Sequence, residues 1–167
     1  MKRLPKFLLK YLRFANDGGC CFNMNVLISA CLVGVNCRYN ASGVLYDGLQ
    51  NYKEKYHFIP VCPEIFGGMK TPREPAEILN NRVVNTAGED VTECYIKGAQ
   101  EVLKLAEFYE CSLAILKERS PSCGCGKIYD GSFTGKLING NGFTAELLLK
   151  NGIKVIGETQ IEQHLRL

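Results

Sequence analysis

Short apolar runs that alternate with helix-like segments are the feature that most restricts what this chain can fold into. The strand-like runs are residues 25–30, 57–61, 112–117 and 154–156. Helical patterns lie between them at 47–55, 90–109 and 141–149. Because parallel strands need a crossover connection that is usually a helix, this alternation predicts a mainly parallel sheet. We therefore expect one α/β domain of three layers, a Rossmann-like sheet with helices on both faces.

The basic charge of the chain is concentrated at its beginning. The net charge is +3, but residues 1–23 hold five basic side chains and one acidic one, which leaves 15 basic and 16 acidic side chains elsewhere. The body thus lacks the basic footprint of a nucleic-acid-binding protein, and no nucleic acid polymer is expected as a partner. We divide the chain into a basic arm at 1–23, disordered or a short helix, an α/β domain at 24–160, and a tail at 161–167.

No apolar run approaches the roughly 20 residues that a membrane-spanning helix needs. The nine cysteines are an odd number, and Lys10 and Arg13 interrupt any signal-peptide core. A secreted disulfide scaffold is therefore disfavoured, and we expect a cytoplasmic protein without a membrane span.

Three of the cysteines follow predicted strands. Cys31 and Cys62 come directly after the first and second strands, and Cys123 lies a few residues past the third. The carboxyl ends of parallel strands share one edge of the sheet, where ligands bind. These three thiols, distant in sequence, are therefore expected to meet in space. The alternative is that Cys31 and Cys62 are merely buried strand ends.

Three converging thiolates suit a soft metal centre: zinc, copper(I) or an iron–sulfur cluster. Histidine occurs only at positions 57 and 164, which disfavours mixed Cys/His zinc sites. The paired knuckles of structural zinc sites are also missing, since the spacing between Cys123 and Cys125 is too short. Both absences favour an iron–sulfur cluster over a zinc site. The sequence leaves open whether Cys37 or Cys125 is a fourth ligand, a resolving thiol or a bystander.

Several polar residues lie near these cysteines. Glu64, two residues after Cys62, would act as general acid or base beside a metal, or else cap a helix. Ser120 and Ser122 would orient substrate or contact cluster sulfur, although Ser-Pro-Ser is also an ordinary turn. The segment 63–89, which contains three prolines, is predicted to be rich in loops and to wrap over the site. Its Arg73 would bind a carboxylate or phosphate, or form a salt bridge.

With these segments in hand, the chain resembles a family long described as a domain of unknown function, which includes the [4Fe–4S]-dependent thiouracil desulfidases. The resemblance covers about residues 24–157. Its motifs are ISACLVGVNCRY at 28–39, VCPE at 61–64, TPREPAEI at 71–78, AILKERSPSCG at 114–124 and KIYDG at 127–131 followed by Phe133-x-Gly135. The VCPE and SPSCG elements together are specific, whereas either alone would not be.

The resemblance implies a [4Fe–4S] cluster bound by Cys31, Cys62 and Cys123, with one iron left free. It also implies removal of sulfur from a thiolated nucleobase such as 2-thiouracil, or a related small thio-compound, as hydrosulfide. Glu64 and Ser120 would then serve proton transfer and orientation, with Ser122 behind them.

Other functions and assemblies remain open. A non-catalytic protein that carries an iron–sulfur cluster, metal or sulfur is one alternative, and a thiol redox protein is another, although the chain lacks C-x-x-C. A homodimer is among the assemblies that the sequence allows.

Overall fold

The computed structural model describes residues 24–166, so the arm predicted at 1–23 lies outside the described residues. The elements in chain order are β1 (Met24–Ser29), β2 (Tyr56–Val61), α1 (Pro63–Phe66), β3 (Ala76–Leu79), β4 (Arg82–Asn85), α2 (Thr92–Phe108), β5 (Leu113–Leu116), β6 (Lys127–Tyr129), β7 (Leu137–Asn139), α3 (Phe143–Lys150), β8 (Lys154–Gly157) and α4 (Ile161–His164). Short 3₁₀ helices lie at Ala30–Leu32, Asp47–Tyr52 and Glu158–Gln160.

The central sheet has four parallel strands in the order β2-β1-β5-β8. All four residues of β5 and the last four of β1 are buried, as expected for parallel strands covered on both faces. From β1 the chain goes first to β2 on one side and later to β5 on the other. This reversal makes the carboxyl end of β1 and β5 a topological switch point, where open α/β sheets bind ligands. The predicted α/β fold is confirmed.

Two apolar layers cover the sheet. On one face, Val102 of α2 and Leu148 of α3 pack against Leu27 and Ala114 of the strands. On the other face, the 3₁₀ helix Asp47–Tyr52 and α4 pack against the opposite side chains of the same strands. Residues 161–167, which we expected as a tail, therefore begin with a helix, because Ile161 and Leu165 are buried in this second layer.

The segment 63–89, predicted to be rich in loops, contains more regular structure than expected. It contains α1 and the antiparallel hairpin β3–β4. The hairpin turns at Asn80 and Asn81, whose φ angles of 49° and 63° are both positive. A two-residue turn of this hand matches the twist of the strands, and asparagine tolerates it. A second hairpin, β6–β7, follows β5.

Backbone-to-backbone contact fixes α1 against α2. A Cβ atom on Gly98 of α2 would lie 1.9 Å from the carbonyl oxygen of Pro63, and a Cβ on Gly67 would lie 2.0 Å from the carbonyl oxygen of Cys94. Only glycine permits so close an approach. The contact sets the position of the turn that follows β2.

None of the helices within residues 24–166 is long and apolar enough to cross a membrane.

Substituting Gly98 by alanine tests the contact between α1 and α2. Although alanine favours a helix, its methyl group would overlap the main chain of Pro63, and overpacking of this kind costs about 1–3 kcal/mol. We expect Gly98→Ala to lower the free energy of unfolding, measured with urea. Gln100→Ala, on the exposed side of α2, should change it by less than about 0.5 kcal/mol. A Gly98→Ala protein as stable as the native one would contradict the contact.

Candidate functional site

A cavity of about 750 Å³ opens at the carboxyl edge of the parallel sheet. Cys31 lies in the turn after β1, Cys62 lies between β2 and α1, and Cys123 lies in the loop after β5. All three line this cavity, and Cys31 and Cys123 are buried. The three cysteines that follow separate strands thus line the same cavity.

Cys37 lies between two of these cysteines. Its thiol interacts with those of Cys31 and Cys62, and the Cys62 Sγ also lies 3.9 Å from the Cys37 carbonyl oxygen. The hydrogen bond with Cys31 raises the pKa of the Cys37 thiol, and the bond with Cys37 together with burial raises the pKa of Cys62. Cys37 is only 7% exposed, so it belongs to the wall of the cavity.

Burial raises the pKa of Cys123 to about 12, against the opposing effect of a hydrogen bond with Ser29. Ser29 ends β1, lines the cavity, and its Oγ accepts the backbone N–H of Lys117 at 2.9 Å. The thiols of Cys37, Cys62 and Cys123 are thus neutral at pH 7. Their ionisation requires a compensating charge, such as that of a metal centre.

Among residues 24–166, no three or more His, Cys, Asp and Glu side chains are grouped so that they could hold a metal ion. The donor chemistry of the cavity nevertheless fits an iron–sulfur cluster. The donors are soft sulfurs from three separate segments, and each thiolate of such a cluster binds a different iron. They need not converge on one ion, as zinc ligands must.

Glu64 and Arg73 form an ion pair inside the cavity. Arg73 Nε and Nη2 donate to Glu64 Oε2 at 2.8 and 2.5 Å, and the side chains of Arg73 and Glu64 are 7% and 16% exposed. The remaining donors of Arg73 bond the Cys37 carbonyl oxygen at 3.1 Å, and the Lys70 carbonyl and Thr71 Oγ1 at 3.2 Å each. Because all five N–H groups are used, Arg73 forms the salt bridge and is not free for a substrate anion.

Ser120 faces the other oxygen of Glu64. Its Oγ accepts the backbone N–H groups of Ser122 and Cys123, each at 3.1 Å, and lies 3.4 Å from Glu64 Oε1. With both lone pairs occupied, the hydroxyl hydrogen of Ser120 points to Glu64. Ser122 is fully buried, and its hydroxyl lies 2.9 Å from that of Thr144. It is not among the residues that line the cavity.

Tyr95 is a site residue that the sequence reasoning missed. It projects from α2, is 2% exposed, lines the cavity and lies close enough to Glu64 for the carboxylate to act on its pKa. Burial first, and then the negative charge of Glu64, raise the pKa of Tyr95, so its hydroxyl remains a donor. Helical spacing is the sequence signal that indicates burial of Tyr95. The residues that share its buried face of α2 are Ala99, Val102 and Ala106.

Comparison with known proteins adds independent information. The family model described as 2-thiouracil desulfurase matches residues 26–160. The uncharacterised protein YbbK of Bacillus subtilis (strain 168) is 43% identical over 150 residues, which cover 84% of this chain and 99% of YbbK. The solved structure of the [4Fe–4S]-dependent thiouracil desulfidase TudS is 38% identical and superposes with a TM-score of 0.80, covering 84% of this chain and 95% of that one.

A double-mutant cycle tests the ion pair between Glu64 and Arg73. Arg73→Met leaves a carboxylate without its partner, and breaking a largely buried pair costs about 3–5 kcal/mol. We expect Arg73→Met and Glu64→Gln each to lower the free energy of urea unfolding, and the double variant to lose clearly less than their sum. Strictly additive losses of unfolding free energy would show that the interaction between Glu64 and Arg73 does not stabilise the protein.

Proposed function

Since this chain belongs to the 2-thiouracil desulfurase family, we propose that it is a desulfidase that removes the sulfur of a thiolated nucleobase. The reaction is a hydrolysis: the C=S bond is replaced by C=O, water supplies the oxygen, and sulfur leaves as hydrosulfide. The observation that carries the proposal is one cavity lined by Cys31, Cys62 and Cys123, and also by Glu64 and Ser120.

Cys31, Cys62 and Cys123 are the residues that we propose hold a [4Fe–4S] cluster. The similarity to a [4Fe–4S]-dependent enzyme and the soft donor set support this. When bound, such a cluster supplies a Lewis-acidic iron that polarises the C=S bond. Burial of Cys31 and Cys123 keeps bulk water from these donors.

Glu64 is the proposed general base. Arg73 binds Oε2, so Oε1 is the oxygen left to take the proton of the attacking water. Ser120 is oriented toward that same Oε1 by the two main-chain N–H groups that it accepts, so its hydroxyl orients the carboxylate, and Glu64 itself passes the proton to the departing sulfur. Tyr95 holds the carboxylate from the side of α2. We propose that Ser122 supports the turn before Cys123 rather than touching substrate, because its hydroxyl is shared with Thr144.

The cluster ligands are tested by single substitutions. After anaerobic reconstitution with iron and sulfide, we expect about four irons per chain and a visible iron–sulfur absorption band. Cys31→Ser, Cys62→Ser and Cys123→Ser should each lose most of this iron. Cys111→Ser is the matched control, because Cys111 is buried in the core away from the cavity.

Iron retained by all three variants would reject this ligand set. A protein that binds no iron and loses two hydrogens on oxidation, with Cys31 joined to Cys37 or Cys123 joined to Cys125, would instead support the thiol redox function.

The role of Glu64 separates a catalyst from a carrier. Glu64→Gln should keep its iron but lower the rate of thiobase loss, followed by the ultraviolet absorbance of 2-thiouracil, by about 10²- to 10⁴-fold, the usual contribution of acid–base catalysis. Glu107→Gln, on the exposed side of α2, controls for the loss of one charge. Turnover by Glu64→Gln at the native rate would eliminate it as the base. A native protein that loads with iron but consumes no thiobase would favour the carrier.

A further inference from the structure

An aromatic side chain in an uncommon backbone conformation forms part of the cavity wall. Phe133 lies in the loop between β6 and β7, and 40% of it is exposed. Its φ of 57° is in the left-handed region, which bulky residues rarely adopt. A residue that only filled the core would be buried, and one that only turned the chain would be glycine or asparagine. A contact elsewhere must therefore hold the loop in this conformation, and the exposed ring must serve a role other than packing or turning the chain.

The anchor is the buried carboxylate of Glu77 on β3, which is 9% exposed. Its Oε2 accepts the backbone N–H of Gly131 at 2.9 Å and that of Phe133 at 3.0 Å. Gly131 is itself pressed against β3, since a Cβ atom there would lie 2.8 Å from the carbonyl oxygen of Ile78. Two main-chain donors on one buried acceptor fix the direction in which the Phe133 side chain leaves the loop.

A fixed, partly exposed ring suits a flat heteroaromatic ligand. Bases stack on protein aromatic rings without needing a particular hydrogen-bonding edge, and a ring that is already positioned loses little entropy on binding. Tyr39 also lines the cavity and is 41% exposed, but the Arg38 guanidinium lies 5.8 Å from its ring centroid. Two more aromatic rings line the cavity, but Tyr95 is buried and Tyr129 is only half-buried. Of the four rings, Phe133 is therefore the best stacking surface for a neutral base.

We propose that the ring of the thiolated base stacks on Phe133, and that Glu77 positions Phe133 for this contact. This inference rests on the proposed function. Phe133 is thus a specificity residue that selects a planar substrate, while the cysteines and Glu64 act on its C=S bond. No step of the chemistry passes through Phe133. Substituting Phe133 should therefore change substrate binding, whereas substituting the residues that move protons should change the rate of the chemical step.

Steady-state kinetics of the cluster-loaded chain with 2-thiouracil test the contact. Phe133→Ala should raise KM by roughly tenfold, the value of one base–aromatic stack, and largely retain kcat at saturation. Phe133→Tyr should restore KM and Phe133→Leu should not, because the contact needs a planar ring. Ile138→Ala is the matched control, as Ile138 lies in β7 of the same hairpin, is 41% exposed and is not among the cavity-lining residues. An unchanged KM in Phe133→Ala, with the native protein active, overturns the inference but not the function.

A fluorescence measurement decides the contact independently of turnover. The chain contains no tryptophan, so Phe133→Trp introduces a single reporter. Uracil, the proposed product, should quench the indole emission of the cluster-loaded Phe133→Trp chain and leave that of Ile138→Trp unchanged. Quenching of Tyr39→Trp alone, or of none of the three, overturns the inference. If the native protein does not consume thiobases, the proposed function fails, and the uracil titration still decides whether a planar ring binds at Phe133.

Discussion

The ion pair between Arg73 and Glu64 is the interaction on which the geometry of the site depends. The guanidinium of Arg73 bonds the carboxylate after β2, the carbonyl oxygen of Cys37 in the loop after β1, and the main chain of its own loop. The Arg73 side chain thereby holds together three segments that are not joined to one another by a helix or by strand pairing. Because the side chains are largely excluded from water, the electrostatic attraction is strong, and the loss of either partner would leave a charge with poor solvation.

The second constraint is the state of the thiols. In the protein as described, hydrogen bonds among the cysteines and burial keep Cys37, Cys62 and Cys123 protonated. Free thiolates packed this closely would repel one another in a medium of low polarisability. Binding of a positively charged centre would therefore be coupled to release of protons from the ligands. The hydrogen bond with Ser29 opposes the effect of burial on the pKa of Cys123 and so favours the thiolate.

Much of the fold follows from sequence pattern alone. The four strands of the main sheet and the long helix α2 were predictable because short buried runs and a 3.6-residue period are local signals. The hairpin β3–β4 was missed because its strands are four residues long and its turn of Asn80 and Asn81 lacks the glycine that marks such turns most clearly. The placement of the three cysteines around one cavity follows from the parallel sheet. Tyr95 and Ser29 could not be assigned, since their roles depend on contacts with distant residues, and the salt bridge of Arg73 with Glu64 depends on how one loop folds over another.

The hydrogen bonds of the site have a consequence for the order in which the protein folds. Ser120 and Glu64 are 56 residues apart, Arg73 and the Cys37 carbonyl 36, and Lys117 and Ser29 88. Each such contact closes a long loop of chain, whose entropy must be lost before the contact stabilises anything. Local elements such as α2 and the hairpins form without that loss. We therefore expect the cavity to form only once β1 has paired with β2 and β5, because these pairings bring the loops that carry Cys31, Cys62 and Cys123 to one edge of the sheet.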